Sequence, residues 1–89
     1  MEFEFDPSKN RTNLAKHGVS LALAGELDWE EALVWMDDLF EYGEMRMCAL
    51  TPRADDLYYV SFVDRDEVRR VISLRTATPR EVTLYARNV

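Results

Sequence analysis

Eighty-nine residues, 47% apolar and 31% charged, describe one folded domain spanning 1–89 and exclude both a second domain and a disordered chain. A single cysteine, Cys48, excludes an internal disulfide, and with a single histidine, His17, no zinc site of usual spacing can be built. The net charge of −6 is uneven: residues 1–44 carry 11 acids and 3 bases, residues 45–89 carry 6 acids and 8 bases, and Glu26 to Glu44 holds eight acids with no base. Such poles suit a basic protein partner at one end and an anion at the other.

Phe3-Glu4-Phe5 alternates like a short strand. Asp6-Pro7 then opens a helix, with Asp as N-cap and Pro where no N–H partner is needed; it is predicted to run to His17 and stop at Gly18. Leu14 and Ala15 are its expected core contributions, with Val19 beyond the cap. Ser20 caps a second short helix through Leu21, Leu23 and Ala24. Asp28-Trp29-Glu30-Glu31 reads as a capping box, whereas Leu33-Val34-Trp35-Met36 reads as a buried strand; a strand at about 32–37 is the expectation.

Glu44–Thr51 alternates, with Met45, Met47 and Ala49 on one face and Arg46, Cys48 and Leu50 on the other. Pro52–Asp56 has turn composition, and the nearly all-apolar Leu57–Val63 belongs at the centre of a sheet. A polar hairpin at Asp64–Glu67 leads into Val68–Arg75, where strict alternation places Val68, Ile72 and Leu74 opposite Arg69, Val71, Ser73 and Arg75. Thr78-Pro79-Arg80-Glu81 is a capping box by spacing and starts a last helix through Tyr85 to about Arg87. The predicted class is α+β: a short N-terminal strand, two helices, an antiparallel four-stranded sheet with helices on one face, and a C-terminal helix. No apolar run approaches a membrane span and the first residues are acidic, so neither leader nor spanning helix is expected, and the expected location is cytoplasmic.

Two stretches stand out. Near the start is Phe5-Asp6-Pro7-Ser8-Lys9 with Asn13-x-x-Lys16-His17-Gly18-Val19; near the end is Ile72-Ser73-x-Arg75-x-Ala77-Thr78-x-Arg80-Glu81 with Tyr85. Together they resemble the opening and closing motifs of the BrnT family of type II toxins, over about residues 3–86. The resemblance implies a RelE/ParE-like fold, metal-independent RNA cleavage that halts translation, no cofactor, and neutralisation by a DNA-binding, BrnA-like antitoxin with which the toxin represses its own promoter. It also implies either a homodimer or a two-plus-two toxin–antitoxin complex. The acidic 26–44 region is the expected antitoxin contact, with RNA as the other partner and no membrane.

Metal-free RNA cleavage needs a base for the ribose 2′-OH, an acid for the leaving 5′-oxygen, and cations for the charge on the reacting phosphate. His17 is the one side chain whose ordinary pKa lies near neutrality. It can act as base or acid, with Lys16, Tyr85 or a glutamate in the other role. Arg75 and Arg80 would hold the phosphate as forked donors, Arg80 with the added help of a helix N-terminus. Arg46 and Arg69 complete the expected RNA contacts. A non-catalytic module acting only in antitoxin binding and promoter regulation is the alternative. It is motivated by the acidic run and by Thr76 and Pro79 standing where family members carry bases.

Overall fold

In a computed structural model the chain is described at residues 1–41 and 43–89, with side chains at 39–41 outside the description. The elements are β1 (Glu2–Glu4), α1 (Pro7–His17), 3₁₀ segments Leu21–Glu26 and Trp29–Glu31, β2 (Leu33–Glu41), β3 (Glu44–Arg53), β4 (Asp56–Arg65), β5 (Val68–Thr76) and α2 (Pro79–Arg87). This is the expected α+β class, with one addition to the sheet. Its order is β1-β5-β4-β3-β2, antiparallel except that β1 joins β5 in parallel, so it has five strands and is mixed. β4, the apolar Leu57–Val63 stretch, sits in the middle as its composition demands. None of the helices among the described residues is long and apolar enough to cross a membrane.

The helix signals act as local chemistry predicts. Asp6 Oδ1 accepts the Ser8 N–H at 2.7 Å, Pro7 opens the first turn, and Gly18 (φ 76°) closes α1 by donating its N–H to the Leu14 carbonyl at 2.9 Å. Thr78 and Glu81 form a reciprocal capping box at the start of α2, at 3.2 and 2.8 Å. The Asp28 segment resolves into both of its readings: a single 3₁₀ turn over Trp29–Glu31, without a side-chain cap from Asp28, followed by a strand from Leu33.

The core lies on one face of the sheet. Ala49, Val60, Phe62, Val71 and Leu74 meet Leu21, Ala24 and Leu27 of the 3₁₀ layer. Trp29 closes it: the indole N–H donates to the Ala24 carbonyl at 2.8 Å, and the ring stands edge-on to Phe62 at 5.4 Å. Each fully buried Leu, Val or Phe contributes about 1.5–3 kcal/mol, which makes these few residues the main source of stability in so small a domain.

Three expectations are corrected. Leu14 and Ala15 are exposed; the buried residue of α1 is Asn13. β5 does not alternate strictly, because the register shifts from Ser61↔Ser73 to Phe62↔Val71, leaving Ile72 unpaired as a bulge. That extra residue puts Val71 and Leu74 in the same core, and separates Arg69 from Ser73 and Arg75. Finally, α2 contributes no residue to the core cluster and contains no buried residue, so it is not part of a helical layer over that face.

Candidate nucleic-acid interface

The two unusual stretches of sequence are joined by one side chain. β1 covers the edge of β5 only at Val68–Arg70, so beyond that point the β5 backbone has no strand beside it. Asn13 fills the place: its Oδ1 accepts the Leu74 N–H at 3.1 Å, and its Nδ2 donates to the Leu74 carbonyl at 2.8 Å and to the Val19 carbonyl at 3.0 Å. The amide reproduces the donor and acceptor of a neighbouring strand, and it is only 5% exposed. Asn10 does similar work one turn earlier, accepting the Leu21 N–H at 2.7 Å and the Ser20 hydroxyl at 3.2 Å.

The last turn of α1 is thereby fixed beside β5. Lys16 and His17 border a shallow cleft together with Thr12, Ile72 and Ser73. Lys16 is exposed and His17 half-buried.

Ser73 leads onto the second face of the sheet, away from the core. Directly opposed residues in antiparallel strands share a face. One row therefore runs Trp35, Cys48, Ser61, Ser73, and the next runs Leu33, Leu50, Tyr59, Arg75. Their polar groups are linked. The Tyr59 hydroxyl lies 3.0 Å from Cys48 Sγ, which is 3.3 Å from Asp37 Oδ2. Arg46 Nη2 donates to Ser61 Oγ at 3.4 Å, and its Nε is 3.5 Å from Asp37 Oδ2, buried without a hydrogen bond among the described residues. The Arg75 guanidinium lies over the Tyr59 ring, 4.2 Å from its centre, and grips Glu81 through two bonds of 2.8 and 3.0 Å.

These contacts decide the protonation states. Arg75 hydrogen bonding holds the Glu81 carboxyl below its usual range, and Glu81 raises Arg75 in turn. Burial pushes the Cys48 thiol up, so it is a packed, protonated thiol rather than a nucleophile. Burial and the Cys48 contact likewise raise Tyr59. Tyr85 is raised by partial desolvation and by the Glu31 and Asp28 carboxylates, and its hydroxyl donates to the Glu31 carbonyl at 2.6 Å. A phenol so placed holds its proton more tightly than usual and has already committed it to the Glu31 carbonyl.

The expected site residues thus fall into four places. Lys16 and His17 share the α1 cleft; Arg46 and Arg75 lie on the second face, which Ser73 connects to that cleft. Arg80 is exposed in the first turn of α2 and borders a separate concavity with Pro79, Thr83, Leu84 and Arg87; Tyr85, half-buried, faces the Trp29–Glu31 turn. Arg69 is elsewhere. Its guanidinium is bound to Asp64 at 2.7 and 2.9 Å and stacks on Trp29 and Phe62 at the rim of the core face. Asn13 and Ser73 stand in the two sequence motifs but were not named as site residues, and Asp37, Tyr59 and Ser61 were not singled out from sequence. Tyr59, Ser61 and Val63 do share a parity within β4, which was readable; which parity faces the core depends on the partner strands. No three His, Cys, Asp or Glu side chains among the described residues are grouped to hold a metal.

A family model described as ribonuclease toxin, BrnT, of type II toxin–antitoxin system matches residues 5–81, a span that includes Asn13–Val19 and Ile72–Glu81. None of the curated proteins compared with the chain matches it.

Proposed function

The chain belongs to the BrnT family of ribonuclease toxins of type II toxin–antitoxin systems, and from that premise we propose that it cleaves RNA without a metal on the second face of its sheet, where the α1 cleft opens beside Ser73. The observation that carries this reading is the Asn13–Leu74 joint, which ties α1, one turn before Lys16 and His17, to the residue of β5 that precedes Arg75. In the proposed reaction His17 removes the 2′ proton, and the oxygen attacks the adjacent phosphorus as the bond to the 5′-oxygen breaks. Lys16 supplies charge at the reacting phosphate and the proton for the leaving oxygen, whereas Tyr85, whose hydroxyl is engaged with the Glu31 carbonyl outside the α1 cleft, takes no part in the proposed step. Arg75 and Arg46 hold the strand on the sheet face, and Arg80 extends that contact along α2.

The test is degradation of a mixed-sequence RNA by purified protein in EDTA. His17→Ala and Arg75→Ala are each expected to lose about a hundredfold or more in rate, the usual size of a general-base or oxyanion contribution. Cleavage at the wild-type rate by both variants would leave the site wrongly placed. The antitoxin is proposed to contact the acidic 26–44 region, in a homodimer or two-plus-two assembly.

A second reading has one observation behind it. Both of the sheet-face cations proposed to hold RNA already face carboxylates, Arg75 with Glu81 and Arg46 with Asp37, in a chain of net charge −6. A module that only binds its antitoxin would tolerate that pairing. Growth of bacteria expressing the chain alone, together with tight antitoxin binding in vitro, is the outcome that favours it.

A further inference from the structure

We infer that the free edge of β2 is a docking strand for an extended protein segment that alternates apolar and basic residues. The inference rests on the proposed partner contact at residues 26–44, which it narrows to one strand, and it holds whether or not the chain cleaves RNA. β2 ends the sheet, so alternate backbone N–H and C=O groups along it have no ladder partner. On the core-side face of that strand Val34 is 43% exposed and Met36 65%, beside Met45 at 39% on β3. Val34 and Met36 stand opposite Ala49 and Met47, so this patch continues the core outward past the 3₁₀ cover.

Charge selects the occupant. Glu30, Glu31 and Asp38 flank the patch, all exposed and without an ion pair among the described residues, and no base occurs between Glu26 and Glu44. A second copy paired antiparallel over the patch, centred between Val34 and Trp35, would set Glu31 against Asp38 of its mate, which like-charge repulsion opposes. A segment with a Val- or Leu-like residue at every second position and Lys or Arg between them would complete the ladder, cover Val34 and Met36, and pair with the free carboxylates.

The probe is a capped decapeptide alternating Lys and Val, compared with the same residues arranged as a Lys block and a Val block. Binding to the full chain is followed by fluorescence anisotropy, and the site by amide hydrogen exchange. The alternating peptide is expected to bind more tightly than the block peptide and to slow exchange at residues 33–37. Met36→Lys, at an exposed position that leaves the fold intact, should weaken it by about tenfold. Asp38→Lys should weaken it severalfold, whereas the same charge change at Asp55→Lys, in the β3–β4 turn, should stay within about twofold. Equal binding of the two peptides, or equal losses from Asp38→Lys and Asp55→Lys, would show attraction to net charge alone and overturn the assignment. So would a concentration-dependent dimer of the wild type that Met36→Lys abolishes, since the strand would then belong to a second copy. RNA cleavage by Met36→Lys at the wild-type rate separates this surface from the proposed catalytic one.

Discussion

The two helices carry the two family motifs, yet they are held in opposite ways. α1 is tied in by asparagine amides: the buried Asn13 satisfies three backbone groups, and the half-buried Asn10 receives Leu21 and Ser20. α2 has no buried residue. Among the described residues its polar side-chain ties to the rest of the domain are the Glu81–Arg75 ion pair and the Tyr85–Glu31 hydrogen bond, and Val82 and Leu84 are 47% and 43% exposed. A polar bond sealed from water cannot be replaced by water when it breaks; a polar bond at the surface can. The difference teaches that His17 stands on the rigid part of the molecule and Arg80 on a part that can open at little cost.

The largest effect expected from this contrast comes from Asn13. Asn13→Ala leaves the Leu74 N–H and C=O and the Val19 carbonyl without partners in a region that excludes water. The expected loss is about 2–4 kcal/mol, out of a total that for a domain of this size is about 5–10 kcal/mol. Thermal unfolding followed by circular dichroism should show the midpoint lowered by roughly 10 °C or more. A change as small as that of a surface substitution would mean that the amide does not substitute for a strand.

What could be read from the sequence follows the same division. Caps and stops are local chemistry, so Asp6, Gly18, Ser20 and the Thr78–Glu81 box were legible, as was the central place of Leu57–Val63. Asn13 was visible as part of a motif, but its burial arises from a backbone gap at Leu74, 61 residues away, that only the length of β1 creates. Apolar Leu14 was the natural choice for the core by hydropathy, and it lost to an amide because the neighbour of α1 is a strand edge rather than an apolar surface. Arg69 and Arg75 share a parity in sequence; the Ile72 bulge puts them on different faces, and nothing within β5 announces a bulge that is defined by its register with β4. His17, Lys16, Arg46 and Arg75 could be named as site residues, while the Tyr59 platform beneath Arg75 required the register of two strands.

A middle-sized effect is expected at Glu81, where the two helices can be compared by pH. Its folded pKa lies below that of the unfolded chain, chiefly through the Arg75 hydrogen bonds. The stabilisation is therefore fully present above the unfolded carboxyl value of about 4.3 and is lost as pH falls through the folded value. With side chains 30% and 20% exposed, the pair is worth about 1 kcal/mol after screening. Glu81→Gln should lower stability by that amount at pH 7 and by little at pH 3, so denaturation curves of variant and wild type should converge on acidification. Asn13→Ala offers the control: Asn13 does not titrate, so its deficit should persist at both pH values. Convergence in both variants would mean that acid loosens the domain generally and not at α2.

Tyr85→Phe should have the smallest effect, and it is the sharpest test of how α2 is mounted. The substitution keeps the ring and removes the hydroxyl that donates to the Glu31 carbonyl. That carbonyl belongs to a residue at the surface, so water can take the vacated place and the global cost should stay at or below about 0.5–1 kcal/mol. The local consequence should be larger than the global one. With one of its two ties gone, α2 opens without the sheet opening, because none of the core residues belongs to it. Native-state hydrogen exchange should therefore quicken at Val82–Arg87 while amides in β4 keep the protection of the wild type. If instead β4 and α2 lose protection together, the helix is part of the cooperative unit, and Arg80 stands on ground as firm as that beneath His17.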